Sequence, residues 1–263
     1  MIPLLEARRI SVLAGEKKIC SELNLKVERG ERWGILGING AGKTSLLLAL
    51  CGILPISSGE IRLKGKPLQD MKRREIALVL GLLFQDSEDH FPSSVLETAL
   101  IGRHPHIDPW KSESGLDEKI ALESIRAVAL SGMEKRMANT LSGGERRRLA
   151  LAALLAQDPE LYLLDEPTNH LDIRHQFSML ELMAEKTKSG KSLIMILHDP
   201  NLAERYCDHA LLLFEDGAIL SGKKEAVLNE ANLSRLYRYP MVSIKGPKGR
   251  LFIPDQTAPE SGL

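Results

Sequence analysis

Cysteine is scarce: Cys20, Cys51 and Cys207 are odd in number and show no C-x-x-C spacing. That leaves no disulfide framework and no cysteine metal motif, and reduced thiols in a cytosolic chain are the expectation. Aromatic residues make up only 4% of the sequence, too few for a base-stacking platform. No charge of one sign prevails, because 35 basic and 35 acidic residues cancel, so nothing draws the chain toward nucleic acid or anionic lipid. Long hydrophobic runs are missing too. The longest, 46–54 and 76–84, fall well short of the roughly 20 residues that span a bilayer. The opening residues lack the basic-then-apolar pattern of a signal segment. An intracellular protein that meets a membrane only through a partner is expected, with no nucleic-acid partner. No internal repeat or low-complexity tract is evident. What remains is a chain of 263 residues, enough to bury a sizeable core in one large or two modest domains.

Residues 2–33 alternate apolar and polar segments, with turn signals at Ala14-Gly15 and Arg29-Gly30. With Gly59 to Gly65 they predict antiparallel strands. Ile76 to Phe84 reads as a strand reaching Gln85. From about 86 to 158 strand signals fade. Glu97–Ile101, Glu118–Leu130 and Gly143–Gln157 carry apolar residues at helical spacing, which predicts an inserted helical subdomain. Leu161–Leu164 and Ser192–Leu197 then read as buried strands flanking a helix over Asp172–Lys188. That alternation belongs to a parallel, doubly wound sheet. Ala210–Phe214 and Ala218–Ser221, joined across Asp216-Gly217, predict a hairpin. The fold class expected is α/β: a core with a mainly parallel sheet, an N-terminal antiparallel β subdomain and the helical insertion. Residues 1–240 form one domain in this division. Residues 241–263, rich in Pro, Gly and Lys, are expected to be a loosely held C-terminal tail.

The chemistry concentrates in Gly37-Ile38-Asn39-Gly40-Ala41-Gly42-Lys43-Thr44, the pattern G-x-x-x-x-G-K-T of the phosphate-binding P-loop, which makes the α/β core expected above that of a P-loop NTPase and residues 1–240 a nucleotide-binding domain. Its glycines let backbone N–H groups close on phosphate oxygens. Lys43 supplies a point charge to the β and γ oxygens, and the Thr44 hydroxyl is spaced to ligate Mg²⁺. The strand Arg32–Leu36 before it and the apolar run Thr44–Cys51 after it set the phosphates at a helix N-terminus. Downstream, the strand Leu161–Leu164 ends in Asp165 and Glu166. Asp165 suits Mg²⁺, directly or through water, and Glu166 suits the general base that polarises an attacking water. A surface acid pair capping a strand is the bland alternative.

His198 ends another apolar strand, with Asp199 suited to a helix N-cap and Pro200 to the first helical position. A neutral imidazole there can sense a γ-phosphate. His104 and His106 gain no such support and read as surface residues. Gln85 can bond the metal or the lytic water, although strand-ending glutamines are commonplace. Ser142-Gly143-Gly144-Glu145 is at once a capping box and, through its bare glycines, an anion site open to a second subunit. Capping accounts for the serine and the glutamate but not for the double glycine.

The P-loop, Gln85, Leu141-Ser142-Gly143-Gly144-Glu145, Asp165-Glu166, His170-Leu171-Asp172 and His198 occur in one order. Together they resemble the ATP-binding cassette (ABC) ATPases over about residues 4–240. The resemblance implies ATP and Mg²⁺ as cofactors, with Ser45 joining Gly37–Thr44 around the nucleotide. It implies Lys43, Gln85, Glu166 and His198 in catalysis, and Thr44, Gln85 and Asp165 at the metal. It also implies a head-to-tail homodimer. Each ATP would lie between one P-loop and the other chain's Ser142, Gly143 and Gly144, with Asp172 in the loop joining the sites. Gln85 and the helical insertion would contact transmembrane permease subunits, placing the protein at the cytoplasmic face of the membrane. A substrate-binding protein would be an indirect partner.

Leu100–His106, His198–Ala203 and Tyr206-Cys207-Asp208 are similar to ATPases of importers for iron-siderophores, haem and vitamin B12. Departures accompany them. Val12 stands near the place where an aromatic often stacks on adenine, Arg147 where many members have Gln, and Ala153 where many have Arg. Ser87-Glu88-Asp89-His90 makes the segment after Gln85 unusually acidic. A soluble ABC-type ATPase of translation, repair or cofactor assembly is the rival reading. Its usual paired cassettes, zinc hooks, coiled-coil arms or basic faces are not seen. A small-molecule kinase would leave Leu141–Glu145 and His198 unexplained.

Overall fold

The computed structural model describes residues 2–84, 92–108, 110–169, 171–246 and 249–255. Gln85, Ser87–His90 and His170 lie outside the described residues. The chain opens with β1 (Leu5–Ala14), β2 (Lys17–Val27) and β3 (Arg32–Leu36), then α1 (Lys43–Leu50), β4 (Ser58–Leu63) and β5 (Lys66–Pro67). Next come α2 (Arg73–Val79), β6 (Leu80–Leu83), α3 (Val95–Ile101), α4 (Gly115–Ala127), α5 (Gly143–Gln157), β7 (Leu161–Leu164) and α6 (Ile173–Lys188). The last third holds β8 (Ser192–Ile196), α7 (Pro200–Tyr206), β9 (His209–Leu213), β10 (Ile219–Lys223), α8 (Lys224–Val227) and α9 (Glu230–Tyr237). It ends with β11 (Met241–Gly246) and β12 (Gly249–Pro254). Two compact units result, one of Met1–Gln69 with Ile194–Leu263, the other of Asp70–Leu193.

In the first unit, β2, β1, β4 and β5 form an antiparallel sheet in that order. The β1–β2 hairpin turns at Gly15, whose φ of 61° is left-handed, and registers Ala14 opposite Lys17 and Leu5 opposite Val27. Buried Ile10, Val12, Leu23, Leu25 and Val27 supply its apolar side. A second sheet pairs β3 parallel to β9 and β9 antiparallel to β10, with β8 on the other side of β3. Buried Ala210–Leu213 show why β9 is an apolar run without alternation: both its faces are covered.

Past Pro240 the expected loose tail gives way to the β11–β12 hairpin. The Asn201 amide of α7 brackets it, donating to the Phe252 carbonyl at 3.1 Å and accepting from the Phe252 N–H at 2.7 Å. Arg250 pairs with Glu204 at 3.0 Å, and Phe252 is buried. The alternation in Val242-Ser243-Ile244 and Leu251-Phe252-Ile253 outweighs the Pro and Gly content.

In the second unit, β6 and β7 are parallel, from Leu80 opposite Leu161 to Leu83 opposite Leu164. The strand expected over Ile76–Phe84 divides instead. Glu75 accepts from the Lys72 N–H at 2.7 Å and starts α2, whose Ile76 and Val79 are buried three residues apart. Only Leu80–Leu83 extends as β6. A short apolar run does not tell helix from strand by itself. Helices α3, α4 and α5 pack together. Arg103 draws them in, pairing with Asp117 of α4 at 3.0 Å and donating to the Ala156 carbonyl of α5 at 2.7 Å. At Gly102 an added Cβ would lie 2.0 Å from the Ala153 carbonyl oxygen, so α3 ends on the bare backbone of α5.

Candidate active site

The first unit contains the phosphate loop. β3 runs into Gly37, and α1 begins at Lys43 with Gly42 as its left-handed N-cap at φ 101°. A Cβ on Gly42 would stand 2.4 Å from Ile19 Cδ1 of β2, so that close approach needs glycine. The Lys43 ammonium is buried and donates to the carbonyls of Gly37 at 2.9 Å and Ile38 at 3.0 Å. Its charge is thus fixed against the loop backbone at the positive end of α1. Thr44 and Ser45 follow in the first turn, half-buried. Lys17, at the β1–β2 turn, donates to the Gly40 carbonyl at 2.6 Å. Sequence reasoning missed this contact, since no local pattern links a residue of β2 to the loop after β3. Val12 is fully buried in β1, so its side chain belongs to the core and offers no stacking face.

His198 stands exposed at the tip of β8. The bond from Leu197 N–H to the Ile35 carbonyl, 3.0 Å, sets that tip beside the end of β3, on the edge from which the phosphate loop departs. Asp199 caps α7 by accepting from the Asn201 N–H at 2.8 Å, with Pro200 next, and the Tyr237 hydroxyl donates to the His198 carbonyl at 3.1 Å. The strand tip is therefore held from both sides.

The second unit contains the acids and the Ser-Gly-Gly-Glu segment. All of β7 is buried, and it delivers Asp165 and Glu166, themselves buried. The Asp165 N–H donates to the Leu83 carbonyl at 2.9 Å. Glu166 adopts a left-handed backbone at φ 45°, sparsely populated for a residue with a side chain. The Asn169 side-chain amide donates to its carboxylate, and the Asn169 N–H to its carbonyl at 3.2 Å. Asn169 was not singled out from the sequence, although an Asn three residues beyond a strand-end acid is a turn signal.

At α5 both halves of the capping box form: Ser142 Oγ accepts from the Glu145 N–H at 3.3 Å, and Glu145 accepts from the Ser142 N–H at 2.7 Å. That second bond holds the Glu145 carboxyl below its usual range. A Cβ on Gly143 would meet nothing within 4 Å. Asp172 caps α6, accepting from the His175 N–H at 2.9 Å with its other oxygen 2.9 Å from His175 Nδ1; these bonds lower its pKa.

The structure thus brings Gly37–Ser45 and His198 together in one unit, and Ser142–Gly144, Asp165, Glu166 and Asp172 occur in the other. The oxygen donors of Thr44 and Asp165 are of the kind a hard divalent cation takes.

A P-loop, a strand-end acid pair and a capped Ser-Gly-Gly helix start are the parts of an ATPase cassette, and comparison with known proteins agrees. The ABC transporter family model matches residues 20–169. The hemin import ATP-binding protein HmuV of Myxococcus xanthus is 38% identical, over 97% of this chain and 98% of its own length. The petrobactin import ATP-binding protein FpuD of Bacillus anthracis is 34% identical, over 89% and 86%. Among solved structures, one described as a metal-chelate type ABC transporter in an inward-facing conformation superposes with a TM-score of 0.84 at 26% identity, covering 97% of this chain and 98% of that one. A dimeric bacterial ABC transporter cassette superposes at 0.72 and 25% identity, covering 83% and 98%. With more than half its length matched by the family model and nearly all of it by a relative, this chain belongs to the ABC transporter family as an ATP-binding, ATP-hydrolysing cassette.

Proposed function

We propose that this chain is the ATPase subunit of an importer for a metal-chelate type substrate, haem or an iron-siderophore, with cobalamin the less supported member of that class. Relatedness along nearly the whole chain to a hemin import ATP-binding protein is the observation that carries the reading. Among the described residues no helix is long and apolar enough to cross a membrane, so permease subunits supply the path. The cassette works at the cytoplasmic face as a homodimer, and a substrate-binding protein delivers the cargo. Lys43 and the loop Gly37–Ser45 hold the triphosphate of ATP. Thr44 and Asp165, with Gln85, would hold Mg²⁺, which would supply positive charge to the phosphate oxygens. Glu166 accepts a proton from the attacking water, and its left-handed backbone and its bond from Asn169 set the direction of the carboxylate. His198 donates to the γ-phosphate. The Ser142–Gly144 backbone of each chain, exposed at Ser142 and Gly143, receives the nucleotide of the other, and Asp172 lies in the loop between the two sites. ATP bridges the dimer, and hydrolysis releases it. The test is reconstitution with the permease and binding protein of the same gene cluster. ATP-dependent uptake of haem or ferric siderophore into proteoliposomes is expected. Turnover that ignores permease and loaded binding protein alike would overturn the importer reading.

A further inference from the structure

Arg147 lies in the second unit on α5, two residues past Glu145, and its side chain is buried. Its guanidinium reaches away from its own helix. One Nη donates to the Phe84 carbonyl at the end of β6, and the other donates to the carbonyls of Asp165 and, at 2.9 Å, of Glu166. Three carbonyls from two separate segments are therefore gathered on one planar cation. The fork of arginine spans such a set with charge-assisted bonds, whereas a glutamine amide, shorter and with two donors on one nitrogen, does not. The tie falls on the peptide of Glu166, where the backbone is already left-handed. It begins within about one turn of Ser142–Gly144, so a rigid helix start carries any displacement there to the guanidinium.

We propose that Arg147 is a positioning residue that couples the start of α5 to the backbone of Asp165 and Glu166. This rests on the reading above, in which Ser142–Gly144 receive the partner's ATP and Glu166 serves the chain's own. Nucleotide captured at one site then aligns the base of the other, and the two sites turn over together.

The test compares wild-type, Arg147→Gln, Arg147→Lys and Glu166→Gln proteins in the permease-bound complex. Arg147→Gln should lower kcat by on the order of tenfold or more, in line with the cost of a misplaced catalytic group. KM should stay within about twofold, because the phosphate loop is untouched, and the Hill coefficient for ATP should fall toward 1. Arg147→Lys should recover part of kcat and cooperativity. Wild-type kcat and Hill coefficient in Arg147→Gln, with Glu166→Gln inactive, would overturn the coupling and leave the base assignment standing. Full turnover in Glu166→Gln would remove the base assignment instead. A measurement without substitution at 147 covers the case in which those variants fold poorly. In a mixed dimer of wild-type and Lys43→Ala chains with a non-hydrolysable ATP analogue, amide hydrogens over 163–169 of the Lys43→Ala chain should exchange several-fold more slowly. Unchanged exchange there would overturn the proposal.

Discussion

Gly42 of the phosphate loop and Gly143 at the start of α5 are set in opposite surroundings. Gly42 is enclosed: its φ is 101°, and Ile19 of the neighbouring strand fills the place where a Cβ would go. Gly143 is open, with nothing within 4 Å of an added Cβ. The same contrast runs through their neighbours. Lys43 is buried and bonded to the loop's own carbonyls, whereas Ser142 is exposed and its hydroxyl caps its own helix by accepting from the Glu145 N–H. The loop is therefore shaped by its own chain before any ligand arrives. Among the described residues nothing crowds a Cβ at 143, and the function proposed above gives that bare glycine to the nucleotide of a second chain.

The difference can be broken most forcefully at Gly42. Gly42→Ala puts a Cβ into Ile19 and into a left-handed backbone, and should destabilise the fold by roughly 2–4 kcal/mol while abolishing nucleotide binding. Thermal melts and calorimetry with Mg·ATP read both effects, and a Tm equal to wild type would refute the enclosed description. Lys43→Ala separates ligand from fold. Affinity for ATP should fall by about ten- to a hundredfold, the worth of a charged hydrogen bond, measured by the same calorimetry. Gly143→Ala should do the reverse of Gly42→Ala. Helix propensity should make the monomer more stable by about 0.5–1 kcal/mol, while ATP-dependent dimerisation of the Glu166→Gln background, followed by light scattering, is lost. If dimerisation survives, nothing outside the chain requires that glycine. Ser142→Ala should cost about 1 kcal/mol through the lost cap.

The matching box at α4 sharpens the contrast because its partners are internal. The Asp117 carboxyl is held at about 2, by the Ser114 hydroxyl first, then the Ser114 N–H and Arg103. A depressed pKa contributes stability above the unfolded value near 3.8, and that contribution is lost as pH falls through about 2. Urea melts should therefore show a shallower decline over that window in Asp117→Asn than in wild type.

Most of the α/β pattern was legible because its signals are local. The apolar run Leu161–Leu164 ended in two acids, Asp172 preceded a helix it caps, and Asp216-Gly217 joined two strands. Where two local signals competed, the reading failed. Residues 76–84 divided between α2 and β6, and the Pro- and Gly-rich end proved to hold a hairpin. Arg147 was visible only as a residue standing where Gln is usual. Its reach to the carbonyls of Phe84, Asp165 and Glu166 depends on segments far apart in the chain.

By itself the sequence determined which groups this protein offers as candidates for phosphate chemistry: the Lys43 ammonium, the Thr44 hydroxyl, the Asp165–Glu166 pair and the bare backbone at 143 and 144. Those are matters of residue type and short spacing, settled within a few bonds. Tertiary structure alone decided that Ile19 crowds a side chain at Gly42, that Val12 turns inward, and that Arg147 holds the backbone of Asp165 and Glu166. Each depends on packing between strands and helices distant in sequence, where distance and direction, not composition, fix the outcome.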